Sequence, residues 1–202
     1  MLCIKLKKFD RECGPTTGGV SRVWIFDRDD FNFTQAAADA DNNKGVYTAI
    51  ARRSGATEEE GAVMFPVRFE SKEAEYKYSQ SKKGSSVKYE HSLEMLLPDL
   101  GHFITQWNEK VDAAGACCGI GIIIELNSGK ILVLGEKYVN STVISNWEIG
   151  QDGASGTSGK LFDDVNGHTA VLKGDYKRGA YEYSGGVAAI LALEEQTGSY
   201  SQ

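Results

Sequence analysis

The chain has 202 residues with 41% hydrophobic and 25% charged side chains, enough for a sizeable core and too apolar for wholesale disorder. A net charge of −6 and a pI near 5.2 give no sign of a strongly basic face, so tight electrostatic capture of nucleic acid is not expected. No apolar run approaches the roughly 20 residues of a membrane span, so no membrane role is expected either.

The N-terminal MLCIKLKKFDREC alternates Leu2, Ile4 and Leu6 with basic residues and lacks the continuous apolar stretch of a signal peptide. Cys3, Cys13, Cys117 and Cys118 fit no zinc template, so reduced thiols in a cytoplasmically made chain are expected. Residues 1–33 hold two strand-like runs on either side of GPTTGG. The second crowds Val23, Trp24, Ile25, Phe26, Phe31 and Phe33, as a half-buried pleated surface requires. Residues 34–62 are the most loop-like region, interrupted by a strand over Val46 to Ala51. So long a connection is expected to be functional or ordered by a partner.

Over residues 63–97, Phe65, Val67 and Phe69 alternate, then Ala74, Tyr76 and Tyr78. After KKGSS come Val87, Tyr89, His91, Leu93 and Met95, so the period of two predicts a long hairpin. Leu100, Phe103, Ile104, Trp107, Val111 and Ala114 recur at helical spacing and predict one amphipathic helix over about 98–114. Pro98 and Asp99 suit its first turn and Gly115 the position past its end. GIGIIIEL and KILVLGEKYV flank Asn127-Ser128-Gly129 and predict a second hairpin, with a first arm buried on both faces. Further on, STVISNWEI, KLFDDV and HTAVLKG read as short strands, residues 150–159 as a flexible Gly/Ser connector, and YEYSGGVAAILAL as a strand or a brief helix. The expected fold class is mainly β, in a single domain over 1–202. It is an antiparallel β-barrel or sandwich with one packed α-helix and long hairpins.

Candidate chemistry fails wherever it is sought. In GQDGASGTSGK a phosphate loop needs glycine where Ala154 stands and Ser or Thr where Leu161 stands. Asp39, Asp41 and Asn43 open like a calcium loop, but Gly45 falls one position late and Ile50 takes the place of the closing glutamate. Asp163 and Asp164 are adjacent, so on a strand they diverge to opposite faces. Asn166-Gly167 reads as a hairpin turn, and this hairpin's charged residues, with His168, as its outer face. His91 lies on a strand face and His102 on the helix shoulder, with no activated nucleophile near either in sequence. Cys117 and Cys118 follow the C-terminal end of the helix, where the dipole disfavours a thiolate. The expectation is no catalytic residue, no cofactor and no cofactor-binding residue, no metal ligand and no enzymatic activity.

The order of elements carries more than any motif. A long hairpin over 63–97, a helix over 98–114 and an apolar hairpin over 117–140 precede a Gly/Ser loop and SGTSGKLFDDVNGHTAVLKGDY. This order resembles the tail tube family of tailed bacteriophages and the related tubes of contractile injection systems. Within residues 156–174, a small-residue loop, Phe162-Asp163-Asp164, Asn166-Gly167, Thr169 and an apolar strand are similar to the final hairpin of phage tail and virion proteins.

The resemblance implies a flattened β-barrel or sandwich flanked by a helix, whose copies extend their sheets into a hexameric ring that stacks into a tube. It implies other copies of the chain and other tail or virion proteins as partners, with DNA as non-specific passing cargo. It implies a place in the virion, after assembly in the cytoplasm of a bacterial host. Pairing with a neighbour would protect the long strands, and an acidic balance suits a conduit along which a duplex slides. Residues 1–33 and the C-terminal segment match no tube motif, which leaves a tail terminator, a baseplate or a head–tail joining protein as an alternative. A second alternative, of another class, is a monomeric β-sandwich that binds a small molecule or glycan through exposed Trp24, Trp107 or Trp147.

Overall fold

The computed structural model describes residues 18–36, 45–57, 62–70, 72–84, 86–98, 100–117, 119–144, 149–158 and 166–194, and only the backbone of 83, 103 and 112–117. In chain order these form β1 (Val20–Asp27), β2 (Phe31–Gln35), β3 (Val46–Arg52), β4 (Phe65–Val67), β5 (Ala74–Lys83) and β6 (Ser86–Pro98). The helix α1 (His102–Cys117) follows, then β7 (Ile120–Leu126), β8 (Ile131–Leu134), β9 (Tyr138–Val139) and β10 (Thr142–Val143). Last come β11 (Gly150–Thr157), β12 (Gly167–Tyr176), β13 (Tyr181–Tyr183) and the short helix α2 (Val187–Leu191).

Nine strands form one sheet in the order β10-β9-β2-β3-β13-β8-β7-β1-β4, and four form a second in the order β11-β12-β6-β5. Pairing is antiparallel except between β2 and β9 and between β3 and β13. The fold is mainly β, a two-sheet sandwich with a packed helix, as the alternation and the single long helical period predict.

Two cores follow from the period of two. Val20 and Val23 of β1 and Ile122 and Ile124 of β7 meet Leu93, Met95, Leu97, Ala170 and Leu172 of the four-stranded sheet. Ile104, Trp107 and Val111 of α1 close this core. The opposite parity of the large sheet, with Trp24, Phe26, Phe31, Phe33, Ile123 and Val133, builds a second core with Ile190 of α2. β7 lies between the two and buries Ile120 to Ile124 on both faces, each large side chain contributing about 1.5–3 kcal/mol. Gly121 is required there, because a Cβ would meet Phe26 Cζ at 2.1 Å.

The Phe26 ring lies 5.5 Å from that of Phe33, although β1 and β2 are far apart in the sheet order. The large sheet therefore curls toward itself. Among the described residues no ladder joins β4 to β10, so the barrel alternative is replaced by the sandwich.

Four local expectations are corrected. The helix spans His102–Cys117 rather than 98–114, because Pro98 ends β6 opposite Gly167 and the residue before a proline stays extended. Gly115 accordingly lies within the helix rather than past its end. The Gly/Ser connector is for most of its length the strand β11, paired along β12 from Gly150↔Lys173 to Thr157↔Gly167. Gly167 is thus the first paired residue of β12, so Asn166-Gly167 is not a two-residue turn. Cys3, Cys13, Cys118, Asp39, Asp41, Asn43, Trp147, Asp163, Asp164 and the KLFDDV run lie outside the described residues.

Candidate assembly surface

The four-stranded sheet divides cleanly by parity. Its inner face carries the apolar residues of β6 and β12. The outer face is charged toward one end, over Glu75, Lys77, Lys88, Glu90, Glu94, Lys173 and Asp175, and carries Leu96, Thr169 and Val171 toward the other. Lys77 pairs with Glu75 at 2.6 Å, Lys88 with Asp175 at 2.7 Å, and Lys173 with Asp152 at 2.8 Å and Glu90 at 3.8 Å. Glu94, exposed on the same face opposite Glu75, adds to the acid excess of these charges. Hydrogen bonding and charge from Glu75 and from Asp152 raise the Lys77 and Lys173 ammonium groups above their usual range, so both stay charged. Exposed pairs of this kind contribute little to stability, because solvent and salt screen them. They make a solvated face of mixed charge.

Both edges of this sheet are open among the described residues. β5 is ten residues long and β11 eight, and each is paired on one side only. Lysines along β5 blunt its edge. β11 has only a bulge between Gln151 and Gly153, and from Gly153 to Thr157 it is exposed and free of charge. Its hold on the core runs through α1. Trp107 Nε1–H donates to Gln151 Oε1 at 3.1 Å, and Gln151 Nε2–H donates to Asn108 Oδ1 at 3.2 Å.

Behind the surface, a buried polar cluster ties the two sheets together. Glu136, fully buried, accepts from the Tyr47 hydroxyl at 2.5 Å and from Arg178 Nη2, which also donates to the Tyr47 oxygen at 3.2 Å. The Arg178 guanidinium stacks 3.4 Å above the Tyr181 ring. Burial and the neighbouring Glu136 charge push the Tyr47 hydroxyl far above its ordinary range, so it remains a donor. Beside Glu136, Arg28 Nε–H donates to the Gly135 carbonyl at 2.6 Å.

On the other sheet, His91 lies among the rings of Tyr76, Tyr78, Tyr89 and Tyr176. Its Nε2 reaches the Arg178 carbonyl at 3.2 Å, which only accepts, so this nitrogen carries the proton. Nδ1 then accepts from the Tyr76 hydroxyl at 2.7 Å. Burial lowers the His91 pKa, and the ring is neutral at pH 7. One residue, Arg178, thus binds the small sheet through its backbone and the large sheet through its side chain.

His91 is the structural residue its strand position implies. His102 is exposed at the start of α1 beside Gln106 Nε2, at 2.8 Å. His168 contradicts the sequence reading: it is buried on the inner face of β12, not on an outer hairpin face. Its Nε2 has no hydrogen-bond partner among the described residues, and burial lowers its pKa. Trp24 and Trp107 are buried, which removes both as exposed platforms. Sequence reasoning missed Glu136 and Arg178. The one signal was an acid directly after the apolar KILVLG run, and its partner comes 42 residues later.

Among the described residues no group of three His, Cys, Asp or Glu side chains could hold a metal ion, and no helix is long and apolar enough to cross a membrane. Comparison with family models, curated proteins and solved structures gives no match to this chain.

Proposed function

We propose that this chain is a structural protein that assembles with copies of itself by extending the four-stranded sheet from subunit to subunit. The observation that carries the reading is the pair of long open edges on an all-antiparallel four-stranded sheet. With an even number of alternating strands, β5 and β11 run in opposite directions. β5 of one copy therefore meets β11 of a like-oriented neighbour antiparallel, and the ladder continues without a reversal. Such a head-to-tail contact closes into a ring when the rotation permits.

In a ring of this kind the charged outer face, with Glu75, Glu90, Glu94, Asp152 and Asp175 against Lys77, Lys88 and Lys173, would line one continuous surface. If that surface were a lumen, its acid excess would repel phosphate and let a duplex pass. This suits the tail tube reading, and the same edges serve another ring-forming virion component. The small-molecule or glycan reading loses the support of Trp24 and Trp107. Light scattering over a concentration series, with electron microscopy of the same samples, tests the proposal. Discrete rings or stacked tubes are expected, and a monomer or a closed dimer at every concentration would overturn it.

A further inference from the structure

At the far edge of the large sheet, an open groove of about 810 Å³ lies between β1 and the chain leaving β4. β4 pairs with β1 only from Val23↔Val67 to Ile25↔Phe65. Beyond Val67 the chain crosses to the other sheet, where Glu70 N–H donates to the Leu96 carbonyl at 2.8 Å and Leu96 N–H to the Glu73 carbonyl at 2.9 Å. β1 instead runs on to Val20, paired on its other side with β7. Val20–Arg22, where the pairing with β7 shifts register between Val20 and Arg22, has no strand on its groove side among the described residues, so its outward backbone groups can receive one more strand.

The groove joins apolar walls to a cationic rim. Val20, Val23, Val67 and Phe69 supply apolar surface, and Arg22, Arg68 and Lys72 supply charge. Arg22 is engaged by Glu125 at 3.4 Å, whereas exposed Arg68 and Lys72 have no ion-pair partner among the described residues. Glu194, the carboxylate lining the groove, is held as the acceptor of Trp24 Nε1–H at 2.5 Å. On a chain of net charge −6, this is a local patch of the opposite sign.

We propose that this groove receives an extended acidic segment of a partner protein, added as a strand beside Val20–Arg22 with carboxylates toward Arg68 and Lys72. The complementary charge selects the acidic side chains, and the strand template selects a peptide, because a nucleic-acid backbone cannot continue an amide ladder. The proposal is independent of assembly through β5 and β11, which lie on the other sheet.

The probe is a fluorescent heptapeptide alternating glutamate and valine, titrated into the full chain by anisotropy and by amide chemical shifts. Saturable binding is expected, with shifts concentrated at Val20–Val23. Affinity should fall roughly tenfold or more in the Arg68→Glu, Lys72→Glu double variant, and likewise for a peptide N-methylated at alternate amides. Both positions are exposed, and the double variant Arg68→Gln, Lys72→Gln provides a second reading if charge reversal impairs folding. Equal binding of a lysine–valine heptapeptide, tighter binding of a single-stranded oligonucleotide, or unchanged affinity in both double variants would overturn the proposal. A charge reversal that changes only self-association would assign the groove to a second copy and overturn it as well.

Discussion

β7 buries every side chain from Ile120 to Ile124, whereas β11, one residue longer, is exposed from Asp152 to its end. Isoleucines in β7 pack against both cores and favour a strand on any account of local propensity. β11, with the sequence GQDGASGT, has almost no such preference. It is extended because β12 offers it a ladder and because Trp107 and Asn108 of α1 hold Gln151. One strand is made by what its side chains bury, the other by what its backbone pairs with. A strand of the second kind at an edge can pair again on its free side, which is why the candidate assembly surface lies there and not around β7.

The comparison breaks most severely where the two sheets are joined. Glu136→Ala leaves the Arg178 guanidinium without its buried carboxylate and should cost about 3–5 kcal/mol in denaturant unfolding. Trp107→Ala should also cost about 3–5 kcal/mol. It should in addition raise hydrogen exchange in β11 above that in β7, since the indole N–H donates to Gln151 of β11 whereas β7 is also held by its own isoleucines in both cores. Uniform acceleration in both strands would show that β11 does not depend on the helix. Gly121→Ala drives a methyl into the Phe26 ring and should cost about 1–3 kcal/mol, measured by the same unfolding.

Smaller effects sharpen the edge. Ala154 and Ser155 are adjacent and exposed on β11, opposite Ala170 and Thr169, so one N–H faces β12 and the other the free edge. Of the two single proline variants, the one at the outward N–H should leave thermal stability nearly unchanged and abolish assembly in light scattering. If both variants assemble normally, β11 is not the joining edge. The mildest test is pH. Burial lowers the pKa of His91 and of His168 below the ordinary 6.5, so the unfolded chain binds protons more readily than the folded one. Their contribution is complete above about pH 6.5 and is lost as pH falls below it. The Tm should therefore drop between pH 7.5 and 5.5, and by less in His91→Gln.

By itself the sequence determined the mainly β class, the β5–β6 and β7–β8 hairpins and the doubly buried β7, because apolar alternation, turn residues and helical spacing are all local signals. Its alternation wrongly begins the first hairpin at residue 63, whereas Phe65–Val67 pairs with β1 of the other sheet. It placed the helix within a few residues and erred at its start, since Pro98 reads equally as a first helical turn or as the end of a strand. Only the tertiary structure made a strand of GQDGASGT, turned His168 inward and joined Glu136 to Arg178. Each of these depends on a neighbour distant in the chain: a ladder from β12, a sheet face chosen by pairing with β6, or a buried charge met by its counter-ion. Periodicity reports which face of an element is apolar. It does not report which partner lies across from it, and at an open edge the partner decides.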